Sequence, residues 1–362
     1  MSSTKAQGGN YFEDFRPGST IRHATPRTLT AGDIALYNGL YGSRFAVQSS
    51  REFARAIGYD DAPVDDILVF HMVFGKTVPD ISLNAVANLG YAECRFLKPV
   101  FAGDTVSATS EVLGVRENSN GESGVVYVRT TGRNQRGEEI LSYVRWVMVR
   151  KRIPGAPAGT AGQVPKLADA VSPSELGSAL PRIDAAKYDF VLAGTPHAIG
   201  DYSAGERIDH VDGITVEEAE HQIATRLYQN TAKVHFDQFA AQSGRFKRRL
   251  IYGGVVISLA RSLSFNGLGA AFHVAGINGG RHVAPLFAGD TVYAWSEVKA
   301  VERLPSQPDL GVMRVVTTAT KNLPCDGHPS RDEKGGYRDG VILELDYWLA
   351  GPWAFGTNVQ LK

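Results

Sequence analysis

Apolar positions along the chain follow one order twice: a long apolar run of helical length, then segments rich in β-branched and aromatic residues. In the first half the run is ILVFHMVFGKTV, followed by YAECRFLKPVFAGDTVSATSEVLGV, GVVYVRTTGRN and ILSYVRWVMV. In the second half VVISLARSLSFNGLGAAF predicts a buried central helix, followed by GRHVAPLFAGDTVYAWSEVKAV, GVMRVVTTATKN and GVILELDYWLA as strands. Ahead of it, VEEAEHQIATRLYQN opens with acidic residues, which suit the positive end of a helix dipole. A helix wrapped by a curved antiparallel sheet, made twice, is the simplest α+β architecture for this pattern.

The repetition extends to identities. The hexapeptide FAGDTV occurs at Phe101 to Val106 and again at Phe287 to Val292, an offset of 186. An offset of 187 brings Ile21-Arg22-His23 onto Ile208-Asp209-His210 and Leu40-Tyr41 onto Leu227-Tyr228. A chance hexapeptide would not carry its neighbours along; a duplicated domain with one loop deletion does. The predicted organisation is therefore an N-terminal domain over 1–150, a Pro-, Ala-, Gly- and Ser-rich linker over 151–197, and a C-terminal domain over 198–362.

Composition narrows the function classes. With 38 basic against 38 acidic residues, chain-level charge argues against a nucleic-acid or membrane-surface partner. Two cysteines in 362 residues exclude a disulfide scaffold and suit a reducing compartment. No apolar run approaches the roughly 20 residues that span a bilayer. MSSTKAQGGNYFEDF lacks the core of a signal peptide, so a cytoplasmic location is expected. His221 has no second His three or four residues away, and no Gly-rich phosphate loop or nucleophile elbow occurs, so neither metal nor cofactor is expected.

An apolar helix followed by a strand ending RFLKPVFAGDTV resembles the hot-dog fold of MaoC-type dehydratases and R-specific enoyl-CoA hydratases. LYGSRFAVQSS, LVFHMVFGKTVPDISLNAVANLGYA, RLYQNTAKVHF and SLARSLSFNGL, with the two-repeat layout, are similar to the mesaconyl-CoA hydratase (β-methylmalyl-CoA dehydratase) family over nearly the full chain. The resemblance implies a double hot-dog fold and reversible addition of water to mesaconyl-CoA (2-methylfumaryl-CoA), serving acetate assimilation through the ethylmalonyl-CoA route or related cycles. The implied partner is an acyl-CoA thioester. Hot-dog domains usually present a sheet edge or face to a partner, so a homo-oligomer, a dimer for example, is expected.

The wider fold family carries Gly-Asp-x-Asn-Pro-x-His. Here His235 falls at its His, Asn230 at its Asp, and Ala232-Lys233 at its Asn-Pro. The offset of 187 places Gln48 opposite His235, so at that position only the C-terminal copy carries a side chain that titrates near neutral pH. His235 is the candidate base, and Asn230 the candidate holder of its water. The resemblance points to a backbone N–H at the start of the central helix, Gly254 with Gly253, as donor to the enolate oxygen; an ordinary tight turn is the competing reading of this pair. Tyr228 and Gln229 adjoin Asn230 and join the substrate-binding set. Arg44 is a candidate for the substrate carboxylate, and Arg248 and Arg249 for coenzyme A phosphates; an exposed arginine and a solvated charged loop compete with these. His282 follows Gly-Gly-Arg near the pocket and is left without a role. A broader R-specific enoyl-CoA hydratase, a thioesterase and a non-catalytic acyl-CoA-binding module are the alternative functions.

Overall fold

The computed structural model describes residues 5–156 and 162–355. The first half contains helices α1 (Ala31–Tyr41) and α2 (Asp66–Thr77), then strands β1 (Ala85–Phe96), β2 (Thr105–Glu117), β3 (Ser123–Arg133) and β4 (Glu139–Arg150). The second contains α3 (Glu218–Leu227), α4 (Lys233–Phe236) and α5 (Gly253–Leu263), then β5 (His273–His282), β6 (Thr291–Arg303), β7 (Leu310–Lys321) and β8 (Val341–Pro352). The eight strands form one antiparallel sheet in the order β2-β3-β4-β1-β5-β8-β7-β6. The halves join at β1 and β5, where Cys94 faces Ile277 and Arg95 faces Gly276. This is a double hot-dog.

Each half wraps a central helix. Every residue of α2 from Ile67 to Thr77 and of α5 from Gly254 to Leu263 is buried. That explains why both helices read as near-continuous apolar runs and not as one-sided stripes. The second apolar run reaches further than α5 does. At Asn266 and Gly267 the backbone leaves helical geometry, Gly267 with φ 104°, and the chain turns into β5.

Residues 187 apart in sequence meet across a pseudo-twofold axis. The Tyr228 hydroxyl donates to that of Tyr41 at 2.7 Å, and His71 Nε2 lies 3.0 Å from Ser258 Oγ. The repeated hexapeptide is a turn device. Asp104 and Asp290 accept from the N–H groups of Phe101 and Phe287 at 2.9 and 3.0 Å, while Gly103 and Gly289 take φ near 90°. His23 and His210 also match, each bonded to a buried serine, Ser110 and Ser296. Their role is structural.

Between the halves, the chain from 162 packs as a strap without long elements. Val171, Leu176, Leu180, Ile183, Tyr188 and Phe190 are buried with Ile57, Phe272 and Trp348. Backbone bonds hold it, such as Trp348 Nε1–H to the Val171 carbonyl at 3.1 Å and Asp184 N–H to the Ile57 carbonyl at 2.9 Å.

The two halves approach tightly at Gly75 of α2, where a Cβ would sit 1.6 Å from the Tyr228 carbonyl oxygen. Gly75→Ala should therefore cost about 3 kcal/mol or more of stability, since backbone must move. Gly39→Ala, inside α1 with nothing within 4 Å of its Cβ, should be neutral or stabilising. Urea denaturation midpoints of the two variants check the contrast.

Candidate active site

The two central helices end differently at their N-termini. In α2 the Asp65 carboxylate accepts from Ile67 N–H at 2.8 Å, and Asp66 accepts from Val274 N–H at 2.8 Å and lies 2.9 Å from His273 Nδ1. Burial pushes the Asp65 carboxyl up to about 6. In α5, Tyr252 stands at the N-cap and no side chain caps the end. The first-turn N–H groups of a helix have no partner within it. The first copy thus caps its helix N-terminus with its own Asp65 carboxylate; the second presents bare glycine backbone.

These glycines are imposed by packing. A Cβ on Gly253 would lie 2.4 to 2.7 Å from the His282 imidazole, and one on Gly254 2.5 Å from the His71 ring and 2.3 Å from that of Tyr252. Backbone at this point can be approached closely by a ligand.

His235 lies on the short helix α4, reached through a tight turn in which Gln229 takes φ 57°. The residue is half-buried, with its ring turned inward, 5.5 Å from the Tyr252 ring and 6.3 Å from that of His221 between centroids. Its Nδ1 is 2.8 Å from the Leu250 carbonyl. A carbonyl only accepts, so Nδ1 carries the hydrogen and Nε2 keeps its lone pair. Burial lowers its pKa to about 4, so the ring is neutral at physiological pH. His221 Nε2 accepts from Tyr252 N–H at 3.0 Å, which pins the turn into α5. Burial lowers His221 to about 3 and His282 to about 4. A narrow crevice of about 250 Å³, its open mouth included, runs between α1, α3 and α5 and is lined by Tyr41, His221, Val255 and Leu259.

The structure brings His235, Gly253 and Gly254 together around Tyr252 and adds His282, whose Nε2 is buried without a partner. Sequence reasoning left His282 out. Its one signal is position: it ends the strand that passes over the helix start. Asn230 is buried, and its Oδ1 accepts from Ala232 N–H at 3.2 Å, bracing the turn into the helix that carries His235. Its acceptor oxygen is partly engaged by this bond, where the sequence reading had kept it for water. Tyr228 gives its hydroxyl to Tyr41, and Gln229 Oε1 accepts from Lys76 Nζ at 3.3 Å. Both pack the floor of the site.

Arg44 is not brought to this cluster. It is exposed, its guanidinium 4.6 Å over the Phe265 ring and 3.8 Å from Asp212. Phe265 follows the C-terminus of the eleven-residue α5, about 16 Å of helix away from Gly253. Arg249 donates to Glu218 at 2.7 Å beside α3, and Arg248 is exposed over the Phe287 ring. Among the described residues no His, Cys, Asp and Glu group suits a metal ion, and no helix is long and apolar enough to cross a membrane.

The histidine's low pKa has a kinetic signature. A base works unprotonated, so kcat/KM should hold its neutral-pH value down to about pH 5 and fall tenfold per unit below about pH 4. A solvated histidine would place that fall near 6.5. Initial rates after a rapid pH jump distinguish the two.

A family model described as mesaconyl-CoA hydratase matches residues 2–323. A β-methylmalyl-CoA dehydratase of Chloroflexus aurantiacus is 57% identical over 350 residues, 97% of this chain and 99% of that protein. A mesaconyl-CoA hydratase of Cereibacter sphaeroides is 58% identical over 349 residues, 96% and 99% respectively. The crystal structure of a MaoC domain protein dehydratase from Chloroflexus aurantiacus superposes with a TM-score of 0.94 at 56% identity, covering 97% of this chain and all of that one. A Mycobacterium tuberculosis protein with a double hot-dog fold, 23% identical, has a TM-score of 0.71 over 94% of this chain and 98% of its own, a likeness of fold. With its double hot-dog fold and the uncapped start of α5 in place, the chain belongs to the mesaconyl-CoA hydratase family.

Proposed function

We propose that this chain catalyses the reversible addition of water to mesaconyl-CoA, giving β-methylmalyl-CoA, and that His235 is its base. One observation carries the reading: a neutral imidazole, its Nδ1–H tied to the Leu250 carbonyl, stands beside a helix N-terminus that no side chain caps. His235 Nε2 takes a proton from water as the water oxygen bonds to the β-carbon. The displaced electron pair moves onto the thioester oxygen, where the N–H groups of Gly253 and Gly254 meet it with the positive end of the α5 dipole. One such preorganised donor is worth about 3 kcal/mol. Collapse of the enolate takes at the α-carbon a proton equivalent to the one His235 accepted, which returns the imidazole to its neutral form and completes the addition; dehydration runs the same steps backwards.

Asn230 serves twice in this scheme: it holds the turn below His235 and replaces an ionised carboxylate by a neutral amide. Arg248 and Arg249, on the loop leading to α5, are the candidates for coenzyme A phosphates. The reaction suits acetate assimilation through the ethylmalonyl-CoA route, and a homodimer is the assembly we expect, to be read by light scattering. The test of function is the fall in enoyl-thioester absorbance with mesaconyl-CoA. Turnover of crotonyl-CoA at an equal rate would favour a broad R-specific enoyl-CoA hydratase instead, and release of free thiol a thioesterase.

A further inference from the structure

A substrate with a free carboxylate needs a cation inside the acyl site, and Arg44 lies elsewhere. Another arginine is placed for this. Arg145 on β4 is 0% exposed. Its Nη2 donates to Thr77 Oγ1 at 2.7 Å and to Ser82 Oγ at 3.4 Å, and its guanidinium lies 4.3 Å over the Phe74 ring. Nε and Nη1 are buried and have no partner. No carboxylate among the described residues faces it; the groups around it are the hydroxyls of Tyr91, Tyr143 and Tyr252.

This is not the ordinary state of a deep arginine in this molecule. Arg261, also buried, donates to the Ala271 carbonyl at 2.6 Å and to Ser264 Oγ at 3.2 Å and feels the charge of Asp65 and Asp66. Lys76, one residue before Thr77, is likewise engaged, by the Thr25 carbonyl at 2.5 Å and Gln229. A buried charge without a counter-charge is costly, and buried polar atoms are nearly always paired. Arg145 keeps two unpartnered donors, Nε and Nη1, either of which can give a charge-assisted hydrogen bond to a carboxylate oxygen.

Tyr252 links these donors to the site described above. The Tyr252 ring lies 5.5 Å from that of His235 and 5.9 Å from that of Phe74, against which Arg145 packs, and the Tyr252 hydroxyl is itself buried without a partner. We propose that Arg145, with the Tyr252 hydroxyl, receives the free carboxylate of the acyl group and so selects dicarboxylic over monocarboxylic enoyl thioesters. This rests on the hydratase reading of the site. It places the base in one half of the chain and the selectivity in the other.

Binding of saturated thioesters tests it apart from turnover, because succinyl-CoA and butyryl-CoA match in chain length, differ in the carboxylate and cannot be hydrated. Calorimetry with the intact protein should give a preference for succinyl-CoA of about 10- to 100-fold, as for hydrogen bonds to a charged group. Arg145→Gln should reduce it to within about threefold, with butyryl-CoA affinity unchanged. Equal loss for both ligands, or a retained preference, would overturn the proposal while leaving hydration of mesaconyl-CoA by the wild type intact as evidence for the reaction. A wild type that prefers succinyl-CoA yet fails to hydrate mesaconyl-CoA would sink the reaction and keep the carboxylate site. Should Arg145→Gln not fold, Tyr252→Phe decides: the preference should drop about fivefold with loss of one hydrogen bond, and an unchanged preference counts against the proposal.

Discussion

His235→Ala should lower kcat for mesaconyl-CoA by about a thousandfold while coenzyme A affinity stays within a factor of two. A positioned general base contributes on the order of 10² to 10⁴, and the cluster offers no ready substitute. His221 already uses its Nε2 to accept from Tyr252 N–H, and the His282 ring is packed against Gly253. The helix-start donors of Gly253 and Gly254 would survive, so the variant should retain activity above background. Single-turnover absorbance changes with saturating substrate separate the chemical step from binding. A loss of less than tenfold in kcat would remove His235 from the base role.

Asn230→Asp should hurt one substrate and spare another. A carboxylate at 230 can still accept from Ala232 N–H, so the turn that carries His235 is preserved and charge is the main change. Two unit charges about 4 Å apart at an effective dielectric near 20 repel by about 4 kcal/mol. Mesaconyl-CoA, which brings a carboxylate, should therefore lose about 10²- to 10³-fold in kcat/KM, and crotonyl-CoA, which brings none, less than tenfold. The asparagine, at the place where the wider fold family has an aspartate, is on this view the adaptation to an anionic acyl group. Equal losses on both substrates would refute it.

Much of the architecture was legible because both helices are buried all round and both turns reuse Asp104 or Asp290 with a left-handed glycine. The candidate base was legible through the repeat, since the partner of His235 is an amide whose Nε2 donates to the Phe272 carbonyl. What the sequence hid depends on tertiary approach. Arg44 was drawn in by its spacing from the position that mirrors His235, but equivalence by pseudo-symmetry is not proximity: the mirrored place lies at the other end of α5. Arg145 reads as one polar residue in a strand, and nothing local says that its neighbour is Tyr252 from the other half. His282 needed the knowledge that its ring replaces a side chain on Gly253.

The two halves that pair at Cys94 and Ile277 are copies of one domain joined in a single polypeptide. In a dimer of identical subunits every mutation is inherited in duplicate, so a capping carboxylate such as Asp65 would close both helix starts at once. Covalent fusion releases the copies from that obligation. On the assignment proposed above, one is free to become scaffold and selector, while its sibling keeps the chemistry.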